Sequence, residues 1–221
     1  MFPGKPEARA WARSLLKGIG PRDRASRSAE ASERILAMDA FRDSDLVLAF
    51  LSMPSEIDTS GVIRAALRLG KAVAAPRIEG GDIVFAYLDG SWESLPRDSL
   101  GIPTPPAGAA ISPEDLRGRE VFALIPGLLF DSRGGRLGRG KGYYDRFLSS
   151  VLASLGMKAP VPAAPGSGVE APRVFPEQGV GFFVPCGFCY DAQVLPRVPV
   201  TERDVRIPRI ATEARVLDAL P

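Results

Sequence analysis

Apolar residues recur at helical spacing over residues 6–18, through Ala8, Ala12 and Leu16, and again over 26–38, through Ala31 and Ile35, and each set predicts a one-sided helix. The pattern then changes. Asp45–Ser52 encloses the continuous run Leu46–Leu51, which reads as a short strand buried on both faces, as in a parallel sheet. A third helix is expected from about Thr59 to Leu69, and Gly70 is placed to end it. Residues 72–75, 83–88 and 121–125 read as further strands, Tyr143–Leu155 as a helix after a glycine-rich connection, and 180–184 and 207–211 as two more strands. Alternation of helical and extended periods predicts an α/β fold. Ala, Gly and Pro make up most of Gly156–Pro172 and no apolar period survives there, so a surface loop insert is expected at about 156–178. The chain is read as one domain spanning 1–221, without internal repeats.

Composition narrows the chemistry more than the fold. The 221 residues include no histidine and only two cysteines. That excludes Ser-His-Asp and Cys-His catalysis, a His-ligated zinc and a four-sulfur site within one chain. Lys and Arg number 28 against 26 Asp and Glu, a net charge of +2 that gives no general affinity for nucleic acid. Residues Met1–Gly20 carry Lys5, Arg9, Arg13 and Lys17 and no apolar core of signal-peptide length. The longest apolar stretches, Leu46–Leu51 and Val121–Phe130, fall short of the ~20 residues of a membrane helix. A soluble, cytoplasmic protein is expected, with small-molecule substrates, no nucleic-acid or membrane partner, and a monomeric or weakly homo-oligomeric state.

Local charge is concentrated in Ile125–Phe147. Gly135, Gly138, Gly140 and Gly142 would let backbone N–H groups approach an anion, the following helix offers its positive end, and Arg136, Arg139 and Lys141 add charge at the same place. This is a phosphate cradle on a strand-loop-helix frame; the competing reading is a glycine-rich turn with solvated arginines. Gly135-x4-Gly140-Lys141 approaches the Walker A pattern, but Gly142 stands where that motif needs a hydroxyl for magnesium. Carboxylates must then hold any metal, and Asp145 and Asp204 are the candidates. Asp145 would equally suit the helix dipole, and Asp204 an ordinary polar loop. Cys186-Gly-Phe-Cys189 has redox spacing, but it follows a strand-like run with no helix after it, which favours small buried residues.

The stretch Arg136-Leu-Gly-Arg-Gly-Lys-Gly-Tyr-Tyr-Asp145, preceded by Pro126-Gly-Leu-Leu-Phe-Asp131, resembles the signature of the 5-formyltetrahydrofolate cyclo-ligases, also called methenyltetrahydrofolate synthetases. Further family features stand in order: Lys5-x-x-x-Arg9, Phe50-Leu-Ser-Met-Pro-Ser-Glu56, Gly70-Lys71 before a strand reaching Pro76, Gly101-Ile-Pro, and Gln193 before Val198-Pro-Val-Thr-Glu-Arg-Asp204. The resemblance covers nearly all of the chain outside the insert. It implies a single three-layer α/β/α domain with a largely parallel sheet, similar to sugar-phosphate isomerases and CoA transferases.

The activity implied is ATP- and magnesium-dependent closure of 5-formyltetrahydrofolate to 5,10-methenyltetrahydrofolate, with ADP and phosphate released after phosphorylation of the formyl oxygen. Such a reaction needs positioning and charge neutralisation more than a histidine base. Carried over by position, the resemblance gives Lys5, Arg9, Arg136, Leu137, Gly138, Arg139, Gly140, Lys141, Gly142, Tyr143 and Tyr144 to ATP, with Arg139 and Lys141 as the catalytic pair. It gives Leu51, Met53, Glu56, Tyr144 and Gln193 to the folate, and Asp145 and Asp204 to Mg2+. Ile78 stands where several relatives have an aromatic residue, and Leu100 where a Trp can precede Gly-Ile-Pro, so folate stacking at those two positions is reduced or provided elsewhere. A catalytically weak folate- or nucleotide-binding regulatory module on the same fold is the alternative. A phosphate-handling isomerase or transferase fits less well, given Lys5, Arg9 and the two carboxylates.

Overall fold

The computed structural model describes residues 2–99, 101–108, 110–156 and 181–219. A seven-stranded sheet runs through the centre. Its inner strands are β1 (Leu46–Leu48), β2 (Ala72–Glu79), β4 (Glu120–Ile125), β7 (Phe182–Phe188) and β9 (Arg209–Ala211), mutually parallel in the order β9-β7-β4-β1-β2. Antiparallel edge strands close both sides: β3 (Asp82–Leu88) beside β2 and β10 (Val216–Asp218) beside β9. A second sheet of three short strands, β5 (Leu129–Asp131), β6 (Arg136–Leu137) and β8 (Val194–Leu195), stands apart in the order β6-β5-β8.

The two-residue period of the strands divides the core. On β4, Phe122 and Leu124 face one side while Val121, Ala123 and Ile125 face the other, and β1 and β2 alternate in the same way. The first side is covered by α1 (Lys5–Gly18), α2 (Pro21–Ala37) and α4 (Ser60–Arg68), through Ala8, Ala12, Leu16, Ala31, Ile35, Val62 and Ile63. The second is covered by α5 (Tyr143–Ser154), through Leu148, Val151 and Leu152. A single turn, α3 (Asp39–Arg42), leads into β1. Helices therefore lie on both faces of a mostly parallel sheet. Among the described residues no helix is long and apolar enough to cross a membrane.

Several boundaries differ from the sequence reading for identifiable reasons. Helix α2 begins at Pro21 rather than 26, because Gly20 precedes a proline whose missing N–H costs nothing in a first helical turn. The strands expected at 72–75 and 83–88 are longer and form a hairpin, since Gly80 and Gly81 both adopt positive φ, 60° and 88°, and close a two-residue turn. Strand β7 runs on to Phe188 through Pro185, and Val180, its expected start, lies outside the described residues. So do Leu100 and nearly all of the 156–178 insert. Ile78 lies on β2, 66% exposed. Cys186 and Cys189 are buried free thiols; burial pushes Cys186 up to about 12 and Cys189 upward as well, which makes both inert at neutral pH.

The two sheets meet through Phe130. Its ring occupies the space a side chain would need at two glycines: an added Cβ would lie 2.6 Å from it at Gly127 and 2.6 Å at Gly187. Gly187→Ala should therefore overpack this junction and destabilise by about 2 kcal/mol, lowering Tm by roughly 4 to 8 °C. Gly18→Ala, where an added Cβ meets nothing within 4 Å, should leave Tm unchanged or slightly raised in the same melts.

Candidate active site

The glycine-rich segment is tied at both ends, and its middle leaves backbone N–H groups without a partner among the described residues. At its start, the buried Asp131 carboxylate accepts the N–H groups of Arg133 (3.0 Å) and Gly135 (2.8 Å) on one oxygen and that of Val198 (2.9 Å) on the other. Gly135 is required there, since its Cβ would fall 2.6 Å from Asp131 Oδ2. Leu137 sits in the core and its carbonyl takes the Leu128 N–H at 2.8 Å, so it anchors the segment and its side chain is not a ligand group. At the far end Gly142 adopts φ +69° immediately before α5, a conformation that favours glycine. Between these anchors no hydrogen bond among the described residues claims the N–H groups of Arg139, Gly140, Lys141 and Gly142. Four donors in succession without a partner among the described residues, at a helix N-terminus, make this loop a candidate anion cradle.

Arg136 departs from the solvated or phosphate-facing cation expected. Its side chain is 3% exposed and bonds Asp145 Oδ1 at 2.6 Å and the Pro126 carbonyl at 3.3 Å. A guanidinium carried inward by β6 must have its charge answered locally, and Asp145, in the first turn of α5, answers it. The same Oδ1 accepts the Val205 N–H at 3.3 Å, which brings the chain next to Asp204 against Asp145. Asp204 Oδ2 in turn pairs with Lys5 Nζ at 2.6 Å and accepts the backbone N–H and hydroxyl of Thr201. Burial opposes the charge on Asp204, but Lys5 and Thr201 outweigh it and hold its carboxyl below the usual aspartate value. Each aspartate keeps one carboxylate oxygen unbonded among the described residues, which suits a hard cation that takes one or two protein carboxylates.

Arg9, one helical turn beyond Lys5, donates to the Gly138 carbonyl at 3.0 Å, and its guanidinium lies 3.3 Å from where a Cβ on Gly140 would be. The N-terminal helix thus borders the cradle with two cations. Lys141 is exposed and makes no ion pair among the described residues. Arg139 instead reaches Glu56 Oε1 through Nε (3.1 Å) and Nη2 (2.8 Å). Glu56 Oε2 accepts the Met53 N–H at 3.1 Å, so the carboxylate also shapes the loop that carries Met53 beside the buried Leu51.

Tyr144 points its hydroxyl inward, where the oxygen is buried without a hydrogen-bond partner among the described residues. Desolvation, and then the nearby Glu56 charge, raise its pKa, so the phenol stays protonated and available to donate. The Arg136 Nε is a second buried donor without a partner among the described residues, with the guanidinium carbon 6.0 Å from the centre of the Tyr144 ring. Tyr143 lies on the outer side, under the Arg146 guanidinium at 5.4 Å. Gln193 departs from its expected role as a folate contact: it is 2% exposed, its amide N–H groups serve the Gly127 and Leu128 carbonyls, and its oxygen takes the Tyr190 N–H. It fixes the strand-end loop below the site.

Three residues that the sequence reading did not single out hold this assembly. Arg146 donates to the Lys141 carbonyl (2.9 Å) and the Gly81 carbonyl (3.0 Å) and pairs with Asp82, fastening the cradle to the β2–β3 hairpin. Arg24 donates to the Leu16, Ile19 and Pro54 carbonyls, tying the end of α1 to the Met53–Glu56 loop. Tyr190 donates its hydroxyl to the Glu56 carbonyl at 3.1 Å. Arg146, the fourth residue of α5, could have been noted from its place just after the glycine-rich segment; nothing local distinguishes Arg24 or Tyr190 from other surface and core residues.

The arrangement has known counterparts. Residues 3–164 match the family model described as the 5-formyltetrahydrofolate cyclo-ligase family. A 5-formyltetrahydrofolate cyclo-ligase of Mus musculus is 26% identical over 209 residues, covering 93% of this chain and 91% of that protein. Its namesake from Escherichia coli is 25% identical over 214 residues, covering 92% and 97%. The Aquifex aeolicus 5,10-methenyltetrahydrofolate synthetase structure shares the fold with a TM-score of 0.72 at 24% identity, covering 97% of this chain and 92% of its own. With most of its length matched by the family model and its glycine-rich loop seated as a cradle at the head of α5, the chain belongs to the 5-formyltetrahydrofolate cyclo-ligase family of ATP-dependent ligases.

Proposed function

We propose that this site closes 5-formyltetrahydrofolate to 5,10-methenyltetrahydrofolate, with ATP bound by the cradle and the folate on the Glu56 side. The observation that carries the reading is the contiguity of two unlike surfaces. The four free N–H groups of residues 139–142, with Lys141, Lys5 and Arg9, suit a triphosphate. The Glu56 carboxylate, the Tyr144 hydroxyl and the apolar Leu51 and Met53 suit a flat heterocycle rich in N–H donors. Arg139 spans the two, and the formyl group would lie at their junction.

The chemistry follows from that placement. The formyl oxygen attacks the γ-phosphorus and ADP leaves; N10 of the folate then attacks the activated carbon, loses its proton, and phosphate departs with the former formyl oxygen. The protein's task is to hold the two reactants in line and to neutralise charge as it moves from ADP to the phosphorylated carbonyl, which Arg139 and Lys141 would do without a histidine. Asp145 and Asp204 would hold Mg2+ through their unbonded oxygens. When bound, the ion would neutralise phosphate charge. Leu137 and Gln193 support the backbone and leave ligand contacts to their neighbours.

Incubation with ATP, magnesium and 5-formyltetrahydrofolate should yield the methenyl product, followed by its near-ultraviolet absorbance, and omission of nucleotide should abolish it. Binding of both ligands without product would favour the regulatory module. Lys141→Ala should lower kcat by a loss on the order of 2 to 4 kcal/mol in transition-state stabilisation, with little change in Tm. The two aspartates should separate. Asp204→Asn, whose partner Lys5 is partly exposed, should chiefly raise the magnesium requirement. Asp145→Asn should also cost about 2 kcal/mol of stability, because it removes the charge that answers buried Arg136. Melting curves and magnesium titrations of the two variants test this; equal effects of both on Tm and metal dependence would refute the distinction. Arg146→Ala should raise KM for ATP several-fold with a smaller effect on kcat, and Arg146→Lys should restore only part of it.

A further inference from the structure

Glu56 is 13% exposed on its side chain, and both of its oxygens are already engaged, Oε2 by the Met53 N–H and Oε1 by the two nitrogens of Arg139. A carboxylate so withdrawn from water needs a donor partner at all times, since leaving it unpaired is costly. Arg139 supplies one from the tip of the cradle, where its own side chain is 38% exposed. The edge of a pterin presents the same chemistry: a ring N–H and an exocyclic amino N–H joined through one carbon, as in a guanidinium. Arg139 and a pterin would therefore compete for Glu56 Oε1.

We propose that Arg139 is a stand-in for the pterin, occupying its subsite until a bound nucleotide draws the guanidinium back to the phosphates. The inference rests on the reading of Glu56 as the pterin contact and Arg139 as a phosphate contact. Its consequence is that nucleotide and folate bind with positive coupling, carried by Arg139 and Glu56. The Arg139–Glu56 pair is open to solvent on the arginine side, so phosphate, a more highly charged partner, draws the guanidinium away; the cost of breaking the pair falls on the first ligand alone, and that cost couples the two sites. Freed of its internal competitor, Glu56 receives the pterin donors directly. Linkage makes the effect reciprocal, with folate raising the affinity for nucleotide by the same factor.

The test is calorimetric titration of 5-formyltetrahydrofolate into the intact protein, with and without saturating magnesium and β,γ-imido-ATP, which cannot transfer its terminal phosphate. The nucleotide analogue should tighten folate binding by about 5-fold or more, within the usual range for coupled sites. In Arg139→Gln and Arg139→Ala the folate should bind the nucleotide-free protein at least as tightly as it binds the wild type, and the analogue should change that affinity by less than about twofold. Far-ultraviolet circular dichroism checks that both variants are folded. Wild-type protein that binds both ligands without coupling, or variants that keep the full coupling, would overturn the stand-in role while leaving the two subsites in place. An unchanged folate affinity in Glu56→Gln would instead remove the pterin assignment itself, and the stand-in role with it.

Discussion

A guanidinium that is 3% exposed cannot be tolerated without a partner, and the Arg136–Asp145 contact meets that demand where the small sheet, helix α5 and the segment around Val205 come together. Arg136 belongs to β6, Asp145 to the first turn of α5, and Val205 donates to the same carboxylate oxygen. This pair ties both flanks of the 138–142 loop; between them the Gly138 and Lys141 carbonyls accept from Arg9 and Arg146, while the N–H groups of 139–142 have no partner among the described residues. The free N–H groups there are thus a consequence of how the flanks are tied, and the glycines permit the backbone path that the ties require.

The surrounding charges are arranged in matched sets of unequal openness. Arg136 is sealed with Asp145, Lys5 is paired with Asp204 at the edge, Arg139 is lightly held by Glu56, and Lys141 is exposed and unpaired among the described residues. That gradient separates the cations that build the site from those that can turn to a ligand. A chain without histidine can still serve an ATP-dependent ligation, because moving charge between phosphate and carbonyl calls for fixed cations and oriented N–H groups. Tyr144, kept protonated by burial, adds a neutral donor near Glu56, where the folate is proposed to lie.

Much of this was legible in the residues. Helices α1, α4 and α5 and the inner strands β1 and β4 follow from apolar periodicity, and the density of Gly, Arg and Lys marked 135–142 as a candidate anion site, where the structure leaves the N–H groups of 139–142 without a partner among the described residues. What escaped the sequence depends on partners distant in the chain. Strands β5, β6 and β8 are two or three residues long, too short to carry a period, so the inward course of Arg136 could not be read. An arginine among glycines resembles a solvated one until Asp145 is seen beneath it. Gln193 stands in the right place in the order of motifs, yet its amide is consumed by Gly127 and Leu128, 66 and 65 positions away. The pairing of Glu56 with Arg139 spans 83 positions and has no local signature.

In the proposed reaction the cradle brings the γ-phosphate of ATP to the formyl oxygen, so that this oxygen leaves as part of phosphate. Turnover of 5-formyltetrahydrofolate carrying oxygen-18 in the formyl group, followed by mass analysis of the inorganic phosphate released, measures this directly. The account predicts one labelled oxygen in each phosphate formed with methenyl product; label appearing in water, with unlabelled phosphate, would contradict it.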